Sequence, residues 1–325
     1  GSPWWLTYAQ PPVGRAFDNF WRNKEGLQDA YAEAWVRLVE RFKDDPIVLG
    51  YDLMNEPFSG TSNLAEFEDR RLRPFYERVI RRIREIDADS WIWVEPAALA
   101  VNFGMGSRLG VVADARAGDP RIVYFPHFYQ VDVHEGGPYD GNSFFIDLWE
   151  AYRAGEVAKM DAPLVIGEFG AFSGLPGHLR HLREVIAMID RAGSGFAYWD
   201  YSPGGGFSPI DADRSEREQI QALVRVYPKA VAGDPVSYAF DPDAGVFELT
   251  FTTEAVKRPQ GALPAPTEIY VGASRLYPGG WAVSSSDPEG AWSSSYDPAS
   301  EVLSVWHDPS RTEHAIRIAP AEAPS

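Results

Sequence analysis

The chain has 325 residues, 45% of them hydrophobic and 24% charged, the proportions of a globular chain large enough for two cores. A net charge of −17 argues against nucleic-acid binding and against charge-driven attachment to anionic membranes. With no cysteine in the sequence, disulfides, thiolate catalysis and cysteine metal sites are excluded.

The opening stretch GSPWWLTYAQ has neither the charged n-region nor the apolar h-region of a signal peptide, and no run of about 18 apolar residues follows it. From residue 26, helical and strand-like patterns alternate. GLQDAYAEAWVRLVERF places Leu27, Tyr31, Trp35, Leu38 and Phe42 on one helical stripe. PIVLGYDLMNEP is a continuous apolar run, as in a strand buried on both faces, and a long amphipathic helix is predicted over 64–86. SWIWVEP, RIVYFPHFY, APLVIGEFG and GFAYWDYS are the next four strands. Helices are predicted over 144–159, over GHLRHLREVIAMIDRAG, and over 214–226.

Five buried strands alternating with helices predict an α/β fold with a parallel sheet, best matched by a (β/α)₈ TIM barrel. An open doubly wound sheet is the alternative. Five units leave a barrel short of three strands. We therefore expect a barrel lacking its first three strands in this chain, the missing N-terminal piece of roughly 100 to 150 residues being supplied as a further fragment of the same barrel. Beyond residue 233 the pattern changes. Short alternating strands such as VSYAFD, GVFELTFTTE, PTEIYVG, GWAVSSS, SEVLSVWHD and EHAIRIAPA, broken by Gly, Pro and Asp turns, predict a C-terminal antiparallel β-sandwich. The expected division is 1–230 for the barrel and 234–320 for the sandwich.

Catalytic groups in such barrels sit at the C-terminal ends of strands. Glu56 follows YDLMN, Glu95 follows WIWV, His127 and Tyr129 follow IVYFP, Glu168 follows LVIG, and Trp199 follows FAY. Any one of these is explained by solvation of a strand end. Five in succession line a barrel mouth with carboxylates, an imidazole, a phenol and a flat ring. Sugar cleavage needs that set, because one carboxyl group must protonate the leaving oxygen while a second attacks or activates water. A metal alternative lacks support, since the sequence has no H-E-x-x-H spacing. His178 and His181, three apart on one predicted helix, are read as a solvated face.

LMNEP closing one strand and IGEFG closing a strand three units later resemble glycoside hydrolase family 5. RAFDNFWRNKEG, RFKDDPIVLGYDLMNEPF and PHFYQVDVHEGGPYDG resemble its endoglycoceramidase branch. The resemblance is strong at these segments and weak over the sandwich. It implies that the visible strands are the fourth to eighth, that Glu56 is the general acid/base with a raised pKa, and that Glu168 is the nucleophile, ionised at rest. By the same resemblance Asn55 donates to the substrate 2-hydroxyl, Tyr129 holds Glu168, His127 lies by the acid/base or the −1 sugar, and Trp199 stacks under that sugar. Glu95 either lines the site or serves as a local ion-pair partner. Phe103, Met105 and Leu109 are candidates for an apolar surface beside the cleft.

The implied function is retaining endo-cleavage between oligosaccharide and ceramide in glycosphingolipids, with no cofactor, no metal and no nucleic-acid partner. Peripheral contact with a lipid surface or micelle and secretion by a bacterium are expected. A family-5 endo-β-1,4-glucanase with the same chemistry, and a non-catalytic carbohydrate- or lipid-binding protein, are the alternatives.

Overall fold

The structure is a computed structural model in which residues 7–8, 10–253 and 265–321 are described. Contacts divide the chain into two compact units, residues 1–170 with 194–199, and residues 171–193 with 200–325.

In the first unit, α1 (Pro11–Trp21) starts on two prolines, whose fixed φ suits a first helical turn. The sequence reading did not anticipate it. Helix α2 (Leu27–Phe42) leads into strand β1 (Gly50–Asp52). The long helix predicted next is interrupted. It runs as α3 (Leu64–Phe67), a π-helical stretch Glu68–Leu72 and α4 (Arg73–Arg84). Such bulges re-aim side chains. Here the stretch carries the buried Glu68, whose carboxylate accepts the Ala97 amide at 2.8 Å, the Ser107 hydroxyl at 2.9 Å and the Arg108 amide. Strand β2 (Trp91–Val94), the short α5 (Ala98–Val101), β3 (Ile122–Tyr124), the short α6 (Val131–His134), α7 (Phe144–Met160) and β4 (Val165–Ile166) follow.

β1, β2 and β3 pair in parallel, with Tyr51 opposite Ile92 and Ile92 opposite Ile122. A parallel bridge from Tyr124 to Leu164 carries the array to β4, which pairs in parallel with β5 (Gly195–Phe196). Five parallel strands in chain order with helices between them form a barrel-type arrangement. The core holds Leu53, Ile92, Val94 and Tyr124 from the strand segments, and Phe75, Tyr76, Val79, Ile80 and Ile83 from α4. The α2 stripe differs from expectation. Tyr31, Trp35 and Phe42 pack on the core with Ala32 and Val39, whereas Leu27 and Leu38 are exposed, because the face that meets α4 is rotated from the one read off the spacing.

One buried ion pair ties α4 to the loop before β3. Arg84 Nε lies 2.8 Å from Asp114 Oδ1, both side chains almost wholly buried. The Arg84 guanidinium also donates to the Ser90 carbonyl, and the Asp114 carboxylate accepts the amides of Arg116 and Arg121. Burial alone would raise the Asp114 pKa, but Arg84 and the two amides outweigh it and hold it below the usual carboxylate value. Removing one partner strands the other in the interior, at a cost of about 3 to 5 kcal/mol. Asp114→Ala should therefore lower the urea midpoint at pH 7 sharply. The wild-type advantage should be complete above pH 4 and fade as the pH falls through the native pKa of Asp114. An unchanged midpoint would remove this pair from the interactions holding the unit.

The second unit contains α8 (His178–Arg191), α9 (Ile220–Leu223) and two four-stranded antiparallel sheets. The strands are β6 (Tyr227–Ala230), β7 (Asp234–Asp241), β8 (Val246–Thr252), β9 (Thr267–Tyr270), then α10 (Ala273–Leu276), β10 (Trp281–Ser285), β11 (Ser293–Asp297), β12 (Val302–Trp306) and β13 (Glu313–Pro320). The sheet orders are β10-β13-β8-β7 and β11-β12-β9-β6, and Phe247, Leu249, Phe251, Ile269, Leu303, Val305, Ile316 and Ile318 are buried in one apolar core.

The helix expected over 214–226 shrinks to α9, because Arg214 takes a φ of 68° and the Arg217 amide is claimed by the Pro209 carbonyl at 2.8 Å. The division expected at 230 to 234 falls inside this unit. β6 already pairs with β9, α8 packs against β7, and Asp190 of α8 forms a buried pair with Arg225. His178 and His181 are buried rather than solvated. Burial first, and the neighbouring His178 second, push His181 down to about 4, so it is packed as a neutral ring.

Candidate active site

Beyond the C-terminal ends of β1, β3 and β4, Glu56, His127, Tyr129 and Glu168 come together within the first unit. Glu56 has a φ of 46°, a left-handed conformation uncommon for a residue with a side chain. Its amide donates to Glu95 Oε2 at 2.7 Å. Its Oε1 accepts from Asn102 Nδ2 at 2.6 Å and lies 3.0 Å from His127 Nδ1.

His127 is 2% exposed. The same Nδ1 is 3.5 Å from Glu168 Oε2, and Nε2 faces Glu95 Oε1 at 3.3 Å. The Tyr129 hydroxyl donates to Glu168 Oε2 at 2.8 Å. Backbone bonds join the two strand ends, with the Phe128 amide on the Glu168 carbonyl at 2.9 Å and the Gly167 amide on the Pro126 carbonyl at 3.0 Å. The Trp149 indole, from α7, donates to the His127 carbonyl at 3.1 Å. A Cβ on Gly167 would stand 2.8 Å from the His127 ring, so only glycine lets that ring lie against β4.

Burial opposes a charge on His127, but its contacts with Glu56 and Glu95 and the charges of Glu95 and Glu168 prevail and push it up to about 10. At neutral pH it is an imidazolium between carboxylates. Burial also raises Glu168, against the lowering effects of His127 and the Tyr129 hydroxyl. Burial and the charge of Glu168 raise the Tyr129 phenol far above its ordinary value, so it stays a donor. Glu56, His127 and Glu168 each offer an atom within 4.8 Å of the others, the spacing of a metal-ligand set. Both His127 nitrogens face carboxylates, Nδ1 that of Glu56 and Nε2 that of Glu95.

Asn55 is exposed, next to Glu56 in the chain. The Trp199 amide is held by the Phe169 carbonyl at 3.0 Å, and its ring is 49% exposed. Leu109 is fully buried and Phe103 half-buried, so of the three apolar candidates only Met105 is exposed. Two polar residues at the site were not assigned from the sequence. Asn102 lies in a loop with no motif around it, and Asp52 was hidden inside a strand. Glu95, read from the sequence as either lining the site or a local ion-pair partner, lies against the Glu56 amide and His127.

Residues 15–205, more than half of the chain, match the family model described as cellulase (glycosyl hydrolase family 5), and residues 225–318 match the glycoside hydrolase family 5 C-terminal domain. The chain is 29% identical over 294 residues to endoglycoceramidase I of Rhodococcus hoagii, covering 86% of this chain and 56% of that protein. Endo-glycoceramidase II from Rhodococcus sp. in complex with ganglioside GM3 is 34% identical with a TM-score of 0.87, covering 99% of this chain and 70% of that one. Its lactosyl-enzyme intermediate is 33% identical with a TM-score of 0.84, over 99% and 71%. The chain spans about half the length of the curated relatives it matches. On the first match and the strand-end carboxylates it encloses, the chain belongs to glycosyl hydrolase family 5.

Proposed function

We propose that this chain carries the catalytic carboxylates of a retaining endo-β-glycosidase that cleaves between oligosaccharide and ceramide in glycosphingolipids. The observation that carries this reading is the pairing of Glu56 and Glu168, with oxygens within 4.8 Å of each other. So close an approach favours direct attack on the anomeric carbon over activation of an inverting water.

In this reading Glu168 attacks the anomeric carbon while Glu56 protonates the departing ceramide oxygen. The ester formed at Glu168 removes its charge, and Glu56 then takes a proton from water, which attacks the same carbon, breaks the ester bond and releases Glu168 as a carboxylate. Tyr129 donates to the Glu168 oxygen, fixing its aim. Asn55 binds the 2-hydroxyl and Trp199 stacks under the reacting sugar. His127, charged beside Glu168, favours the ionised form that attacks.

The lipid half of the substrate is supported by exposed apolar side chains beside the strand ends. Phe144 and Phe145 at the start of α7 have their rings 5.4 Å apart, Met105 is 56% exposed, and Gly104 packs on the Phe145 ring. We further propose that the five strands are the fourth to eighth of a complete barrel. Among the described residues β1 pairs on one edge only, with Ile47 89% and Leu49 63% exposed just before it, as expected where a third strand would cover them.

Incubation with ganglioside GM3 and with soluble cellulose, followed by mass spectrometry, tests the substrate. Free ceramide with intact oligosaccharide is expected. Cellulose fragments beside untouched ganglioside would favour the glucanase, and no product from either the binding protein. Gly167→Ala should lower kcat/KM by about 10²-fold, the usual effect of moving a site group by about 1 Å, while melting stays cooperative. Wild-type kinetics would show that the His127 ring has room to move.

A further inference from the structure

We propose that Glu95 is a positioning residue for the two catalytic carboxylates, one oxygen fixing the Glu56 backbone in its left-handed turn and the other presenting His127 as a proton donor to Glu56 and Glu168. The proposal rests on the roles given above to Glu56 and Glu168.

Glu95 is 2% exposed. A carboxylate so placed is costly unless its oxygens are engaged. Oε2 receives the Glu56 amide at 2.7 Å and Oε1 stands 3.3 Å from His127 Nε2. The backbone of Glu95 is pinned as well, because the Tyr76 hydroxyl of α4 donates to its carbonyl at 2.8 Å. A purely structural ion pair would need one of these contacts. Having both couples the strained turn carrying one catalytic group to the charged ring touching the two.

The groups facing this assembly are Asp52 from β1, Tyr76 from α4, Glu56 after β1, His127 and Tyr129 after β3, and Glu168 after β4. His127 is the one cation among them. Asp52 lies against Glu95, and burial first, then the charge of Glu95, push it up to about 8. Two carboxyl groups in contact disfavour a second charge, so Asp52 is held towards its protonated form beside Glu95.

The experiment is histidine ¹⁵N NMR of the full chain across pH 5 to 11, with kinetics on an aryl β-lactoside over the same range. In the wild type the His127 ring should stay doubly protonated to well above pH 8. Glu95→Gln should lower its midpoint by one unit or more, move the alkaline limb of kcat/KM to lower pH, and reduce kcat about 10-fold or more with little change in KM. Glu95→Asp keeps the charge and should keep the high midpoint, but its shorter arm should still lose kcat through the Glu56 turn. An unchanged midpoint and pH profile in Glu95→Gln would overturn the assignment. So would a wild-type midpoint below about 7, a result that does not depend on any variant folding. A wild type that cleaves nothing yet holds His127 charged would overturn the reading of function and leave the role of Glu95 in holding the ring supported.

Discussion

Glu168→Gln removes turnover, with kcat/KM falling on the order of 10⁵-fold, as when a catalytic nucleophile is deleted. The amide has the shape of the carboxylate but cannot form the glycosyl ester. The fold should not suffer. The Gln carbonyl still accepts from the Tyr129 hydroxyl, and a neutral group removes the burial penalty that raises the wild-type carboxyl. We therefore expect a melting temperature equal to or above that of the wild type, which separates lost chemistry from lost structure. A 2-fluoro glycoside with a good leaving group should add one glycosyl mass to the wild type, mapped to the peptide containing Glu168, and none to the variant. Residual activity within about tenfold of wild type would assign the nucleophile elsewhere.

Glu56→Gln has the second-largest effect, and its signature is dependence on the leaving group. With ceramide, a poor leaving group, loss of the general acid should cost about 10²- to 10⁴-fold. With a dinitrophenolate, which leaves without a proton, the first step should proceed almost normally. The second step still lacks its base, so the glycosyl-enzyme should accumulate and give a burst of phenolate. Azide with Glu56→Ala should restore turnover and yield the β-glycosyl azide. Equal losses on both leaving groups would show that Glu56 acts by shaping the site. Such a shaping role is physically reasonable, because Glu56 also meets Asn102 and His127. The leaving-group comparison decides between the two.

The two strand-end glutamates, the His-x-Tyr segment and the strand-end tryptophan could be located before any fold was known. In a parallel sheet buried on both faces, strands are runs of apolar residues, so a polar group breaking the run marks the strand end. Asn102 and Asp52 could not be read this way. Asn102 reaches Glu56 because its loop folds back over the site, and Asp52 matters because Glu95 is buried beside it. Those are contacts between segments some 40 residues apart in the chain. The same limit explains the misread elements. Spacing gave α2 a stripe but not the covering neighbour that left Leu38 exposed, and it gave His178 and His181 one face without showing that the face is buried. Periodicity over 214–226 did not reveal that the Pro209 carbonyl takes the Arg217 amide.

By itself the sequence determined the order of parallel strands, the antiparallel region after them, and which side chains stand at each strand end, because these follow from local hydrophobic period and chain order. The tertiary structure decided the distances that set the chemistry. It brought Glu56 and Glu168 to within 4.8 Å, charged His127 between them, and placed the buried Glu95 behind both. Charge states and separations depend on burial and on neighbours from other strands, and no stretch of sequence contains its own surroundings.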